Sequence, residues 1–209
     1  MRAKDFITEA APSEEQVAAG IVTILTKECT PFLQEINYDL YRYTLFRGVK
    51  QDAPDQLVMA RPVDRQPMDT PYEDHDVADK FFFKNFGEKY RSNAFFVTGS
   101  LDQAQNYGDV YTAFPMGPFQ ICWSPIVNDL TNDLSMFQFN IYQGRTNLTP
   151  RQVAMKFLKQ AKYGAGNIKK AIYSSNEIMV ACNSLYMVKY RLSLIELVSK
   201  MLLGAKGAS

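Results

Sequence analysis

The stretch RSNAFFVTGSLDQAQNYG, residues 91–108, decides how this chain is read. An apolar run with strand character breaks into Thr98-Gly99-Ser100, then resumes as a short helix-like segment that ends at Tyr107-Gly108. Two hydroxyls flanking a glycine put small donors and acceptors beside a backbone that another group can approach closely. Such a break serves either as a ledge for a ligand or as a strand-to-helix turn with Ser100 or Asp102 as N-cap. Both readings stay open on this stretch alone.

Upstream, Ser13 and Gln16 stand at capping-box spacing before a helical apolar period that runs to residue 28. DLYRYTLFRGV, residues 39–49, alternates and is rich in aromatics, which is strand patterning up to the break at Gly48. Residues 51–71 carry four prolines and mixed charge, and read as a loop with at most one short strand. Thr70-Pro71-Tyr72-Glu73 then combines a cap, a proline at the first helical position and a reciprocal carboxylate, so a helix is expected to about Asn85, ended by Gly87. Downstream, DVYTAFPMGPFQICWS reads as two short strands around a Pro115–Pro118 turn. Thr149-Pro150-Arg151-Gln152 repeats the capped-helix start, and NEIMVACNSLYMVKYR reads as a hairpin turning at Asn183-Ser184. The amphipathic run LSLIELVSKMLL closes the chain. Helices and strands in this order give an α+β domain spanning residues 10–209.

At 209 residues and 46% hydrophobic content the chain has the material for one independently folding core. The formal charge of +1 hides an asymmetry: residues 1–150 carry 13 basic and 20 acidic side chains, whereas 151–209 carry 10 and 2. A basic second part reads either as solvated helix faces or as contact with an anionic partner such as nucleic acid. Cys29, Cys122 and Cys182 are isolated in apolar surroundings and read as reduced core residues. The single histidine, His75, lies in a charged helical stretch; it reads as a solvated helix position and argues against a zinc site or a histidine-based triad, so no metal ligands are assigned. No apolar run reaches membrane-spanning length, and the N-terminus lacks a secretory apolar core, which points to the cytoplasm or its equivalent.

Three strand-end features align across the chain: Arg47 in LFRG, Thr98 and Ser100 in FFVTGS, and Glu177 opening EIMVACNSLYMV. Their order and contexts resemble the arginine-toxin-like branch of the ADP-ribosyltransferases. That branch is marked by an Arg ending the first core strand, an aromatic-x-Ser/Thr-x-Ser ledge, and a Glu directly before an apolar strand. Ala104, Tyr107-Gly108 and the Pro115–Gly117 turn resemble its flanking features, and the likeness spans about residues 39–191. The resemblance implies a split β-sandwich with flanking helices, NAD as substrate, and cleavage of the bond between nicotinamide and ribose. It also implies Glu177 as the carboxylate that stabilises the ribosyl cation, Thr98 as the residue that holds Glu177 and the ribose in place, and Ser100 as the support of the ledge. Arg47, beside Gly48, would bind the diphosphate through its planar fork. Arg61 and Arg65, in the proline-rich loop, fit a lid over that diphosphate or plain solvation, and Tyr107 fits stacking on a cofactor ring or core packing. The alternatives are Arg47 as a strand-end ion-pair residue and Glu177 as a solubiliser beside the hairpin. The chain departs from the branch at Ser175, where enzymes that modify arginine carry a second Glu.

The opening MRAKDFITEAAPSEEQ resembles the capsid-targeting peptide of internal head proteins in T-even-type phages, with Ile7-Thr8-Glu9 as the cleavage signal before Ala10. The resemblance makes residues 1–9 a propeptide, read otherwise as an ordinary N-terminal segment, and implies partnership with the head scaffold and its protease. The locations implied are the capsid interior and then the host cytoplasm, where a host protein or nucleic acid would accept the ADP-ribose. A catalytically silent internal head protein and an NAD-binding counter-defence factor are the alternatives.

Overall fold

A computed structural model describes residues 11–50, 52–68, 70–144 and 146–206; the targeting-peptide expectation for residues 1–9 lies outside them. Helix α1 (Glu14–Glu28) opens with the expected capping box between Ser13 and Gln16, and α2 (Thr30–Glu35) follows. Strand β1 (Phe46–Val49) is shorter than the aromatic alternation suggested. Asn37 and Tyr38 take left-handed backbone, and the Tyr43 N–H returns to the Asp39 carbonyl, so residues 36–43 turn instead of extending. The proline-rich segment contains β2 (Gln56–Ala60). Helix α3 (Tyr72–Phe86) ends at Gly87 with φ +76, as expected, but Pro71 occupies the N-cap and the Thr70 hydroxyl pairs with that of Thr131 at 2.6 Å.

The short α4 (Tyr90–Asn93) leads into β3 (Phe95–Thr98) and α5 (Leu101–Gln105), whose N-cap is Ser100. Strand β4 (Asp109–Trp123) is one continuous strand where two were expected. Its Pro-x-Gly segment is absorbed as an irregularity between Met116 and Phe119, with Gly117 at φ +68. Helix α6 (Leu130–Gln143) carries no expectation above; Asp129 caps it. Helix α7 (Pro150–Gln160) has the expected capping box, and β5 (Gly164–Ala165) and α8 (Ile168–Ser174) follow. Strand β6 (Glu177–Lys189) replaces the expected hairpin, and α9 (Leu192–Lys206) closes the described chain. Asn183-Ser184 cannot turn because β4 pairs with β6 from Lys189 to Ile178, and β2 pairs with its second half.

The strands form one antiparallel sheet in the order β2-β6-β3-β1-β4-β5. An additional β4–β6 pairing closes β6, β3, β1 and β4 into a small barrel, so the mixed α+β architecture holds. Alternation along β3 and β6 divides the apolar side chains between two cores. Phe95, Val97, Ile178 and Val180 join α1, α2, α8 and α9, whereas Met179, Ala181 and Cys122 join α3, α6 and α7. The three cysteines are buried and unbridged. Among the described residues, no helix is long and apolar enough to cross a membrane.

Candidate functional site

The break at Thr98-Gly99-Ser100 is a turn between β3 and α5. A Cβ at Gly99 would lie 2.7 Å from the Ile172 carbonyl carbon and closer to its oxygen, so the glycine admits the last turn of α8. The Ser100 hydroxyl accepts the Gln103 N–H at 3.2 Å and caps α5. Thr98 Oγ1 lies 2.9 Å from the Ser175 carbonyl and 3.1 Å from Gln103 Oε1, and accepts the Ser100 N–H at 3.1 Å. Its hydroxyl therefore fixes the backbone two residues before Glu177, where Ser175 ends α8 in left-handed conformation at φ +60. A second grip comes from the far side, where the Glu177 N–H donates to the Asn128 carbonyl at 2.9 Å.

Strand register brings three of the sequence features together. Phe46 faces Thr98 across β1 and β3, and Thr98 faces Glu177 across β3 and β6, so Arg47, Thr98 and Glu177 occupy neighbouring strands. Arg47 Nη1 donates to the Phe96 carbonyl at 2.6 Å. Arg65 sits with its guanidinium carbon 4.2 Å from the Phe96 ring centroid, and its Nη2 donates to the Arg91 carbonyl at 2.7 Å. Burial, and then Arg65, lower the Arg47 guanidinium to about 10; burial, and then Arg91, lower that of Arg65. Neither Arg47 nor Arg65 has a carboxylate oxygen within 4.0 Å among the described residues.

Glu177 is held by a residue the sequence reading passed over. Arg91 Nη1 donates to both carboxylate oxygens, at 2.9 and 3.2 Å, with only 7% of the Arg91 side chain and 14% of the Glu177 side chain exposed. Arg91 also approaches Thr131 Oγ1 at 3.3 Å and stacks 4.4 Å from the Phe96 centroid, while its buried Nε finds no acceptor among the described residues. Burial raises the Glu177 carboxyl above 4.5 and Arg91 opposes that rise. Behind the pair, Asp79 accepts the backbone N–H of Arg91 at 2.8 Å and that of Ser92 at 3.3 Å, together with the Ser92 hydroxyl.

His75 corrects an expectation: it is buried, with Nε2 3.0 Å from Ser92 Oγ and 3.5 Å from Asp79 Oδ2. The same nitrogen faces both groups, so this is a packing network and not a relay in which the acid orients the opposite ring nitrogen.

Tyr107 stands at the rim, 60% exposed, donating to Asp129 Oδ2 at 3.1 Å; burial and Asp129 push its phenol up to about 12. Gly48 is covered: its missing side chain leaves room for the Ala104 carbonyl and the Tyr107 Cβ. Arg61 is the one assigned residue held elsewhere. It is tied to Glu88 and to the Asn93 carbonyl, and its N–H meets the Asn183 carbonyl, six residues or roughly 20 Å along β6 from Glu177.

Arg47 and Arg65 thus both lie against Phe96, one on its carbonyl and one on its ring, and Arg91 holds the Glu177 carboxylate. Compared with known proteins, the chain matches no family model, no curated protein and no solved structure.

Proposed function

We propose that this protein carries out ADP-ribosyl chemistry on NAD, as a transferase to a host macromolecule or as a hydrolase. The observation that carries the proposal is the pair of partly buried guanidiniums, Arg47 and Arg65, without a carboxylate within 4.0 Å among the described residues, beside the Glu177 carboxylate. Withdrawing cations from water without a counter-charge is costly, and a diphosphate supplies that charge with oxygens suited to two forks. Glu177, on β6 with β3 between it and β1, would then stabilise positive charge on the ribose as the nicotinamide bond breaks. On this reading the curled sheet is a form of the split β-sandwich of the ADP-ribosyltransferases, and residues 1–9 direct the chain into a phage head before delivery to the host cytoplasm. ADP-ribose titrated against the wild type and against Arg47→Met/Arg65→Met tests it: the double variant should bind at least tenfold more weakly, and equal affinity would remove the diphosphate site.

A second reading has its own observation. The grip of Arg91 on Glu177 is what a catalytically silent internal head protein would retain as a structural ion pair. It requires that NAD be neither bound nor cleaved.

A further inference from the structure

From residue 134 to residue 176 the chain has 43 residues, seven of them basic and none acidic. Arg151, Lys156 and Lys159 lie on α7, Lys162 in the turn after it, and Lys169 and Lys170 at the start of α8. Of these six, only Arg151 has a carboxylate within 4.0 Å among the described residues, Asp76 at 3.5 Å. Helices α7 and α8 cover opposite faces of the sheet and are joined past β5, which pairs with the end of β4, so the basic stripe wraps the sheet edge. Its α7 part borders a shallow groove of about 420 Å³ lined by Arg151, Gln152, Met155, Lys156 and Lys159.

Aromatic rings interrupt the charge at the α8 end. Lys169 Nζ lies 5.4 Å from the Tyr43 centroid, Tyr43 packs edge-on against Tyr173 at 5.3 Å, and Tyr173 is 64% exposed. Solvated faces normally mix both signs, and a single-sign band concentrates the potential that attracts a polyanion. Lysines interleaved with open aromatic faces are the pattern that holds a single strand, phosphates on the cations and bases on the rings. We propose that the α7–α8 face binds single-stranded nucleic acid. Binding stands apart from the NAD chemistry; only the further step, that the bound strand accepts the ADP-ribose, rests on the reading above, and α8 ends two residues before Glu177.

The test is fluorescence anisotropy of the full chain with labelled 20-nucleotide DNA and RNA, without NAD, so that failure of the NAD chemistry cannot affect it. Binding should weaken with salt, and Lys162→Glu/Lys170→Glu should flatten the log–log salt slope by about 1.4, at about 0.7 for each phosphate contact on a single strand. Tyr173→Ala should weaken binding about tenfold, the scale of one lost base–aromatic stack. Lys27→Glu/Lys200→Glu, the same charge change on α1 and α9, should bind as the wild type does. Equal weakening by both charge reversals, displacement by polyglutamate as effective as by unlabelled oligonucleotide, or no binding at 50 mM salt would each overturn the proposal.

Discussion

Replacing Arg91 with methionine keeps most of the side-chain volume and leaves Glu177 without its ion-pair partner. The backbone N–H of Arg91 survives, so its bond to Asp79 and the start of β3 should persist. Breaking a buried pair costs about 3–5 kcal/mol when the remaining charge is stranded. Glu177, however, can escape by taking a proton, and this caps the loss. pH 7 lies 2.5 units above the ordinary carboxyl value of 4.5 that holds in the unfolded chain, so keeping the buried carboxyl protonated there costs about 3.4 kcal/mol at about 1.36 kcal/mol per unit. At pH 5 the same escape costs about 0.7 kcal/mol. Urea unfolding should therefore show Arg91→Met destabilised by about 3 kcal/mol at pH 7 and by little more than the lost stacking on Phe96 at pH 5. Adding Glu177→Gln to Arg91→Met should recover much of the loss at pH 7 and almost nothing at pH 5. A destabilisation of equal size at both pH values would refute the reasoning, because it would then come from packing and not from a stranded carboxylate.

Further outcomes follow from other parts of the molecule. Burial, the main cause, holds His75 below its ordinary 6.5; Arg91 and Arg65 add to that, while Asp79 and Asp76 oppose it. Its lowered value makes the stabilisation present above pH 6.5 and lost as pH falls, so the melting temperature of the wild type should drop more steeply between pH 7 and 5 than that of His75→Gln; parallel curves would remove His75 as the titrating group. Gly99→Ala forces a Cβ against the Ile172 carbonyl and should cost at least about 1–3 kcal/mol in thermal or urea unfolding. Gly20→Ala, in the middle of α1 with open space around its Cβ position, should instead stabilise by about 0.5–1 kcal/mol.

The elements legible in the sequence were those specified by neighbours a few positions apart. Ser13 with Gln16 and Thr149 with Gln152 satisfy orphan N–H groups locally, and both helices start where that chemistry places them. Strands β4 and β6 were misread for the converse reason. Pro115–Pro118 and Asn183-Ser184 look like turns in isolation, but each long strand pairs along most of its length with the other, and distant pairing overrides local preference. His75 looks solvated among Tyr72-Glu73-Asp74 and Asp76, yet Ser92 and Asp79 enclose it. In the candidate site, the order Arg47, Thr98, Glu177 was readable because Thr98 ends one apolar strand, Glu177 begins another and Arg47 lies next to the start of a third. Arg91 was not, although it opens the stretch 91–108: its partner lies 86 positions away, and no local pattern separates an arginine that grips a buried carboxylate from one in water.

The proposed function requires Glu177 to act on NAD beside Arg47 and Arg65. Release of nicotinamide from NAD, followed by chromatography for the full-length wild type and for Glu177→Gln, tests it most directly. Measurable release by the wild type that falls by roughly two to three orders of magnitude in Glu177→Gln is the result expected for loss of one electrostatic stabiliser of the transition state. No release by the wild type, or release unchanged in Glu177→Gln, would contradict it.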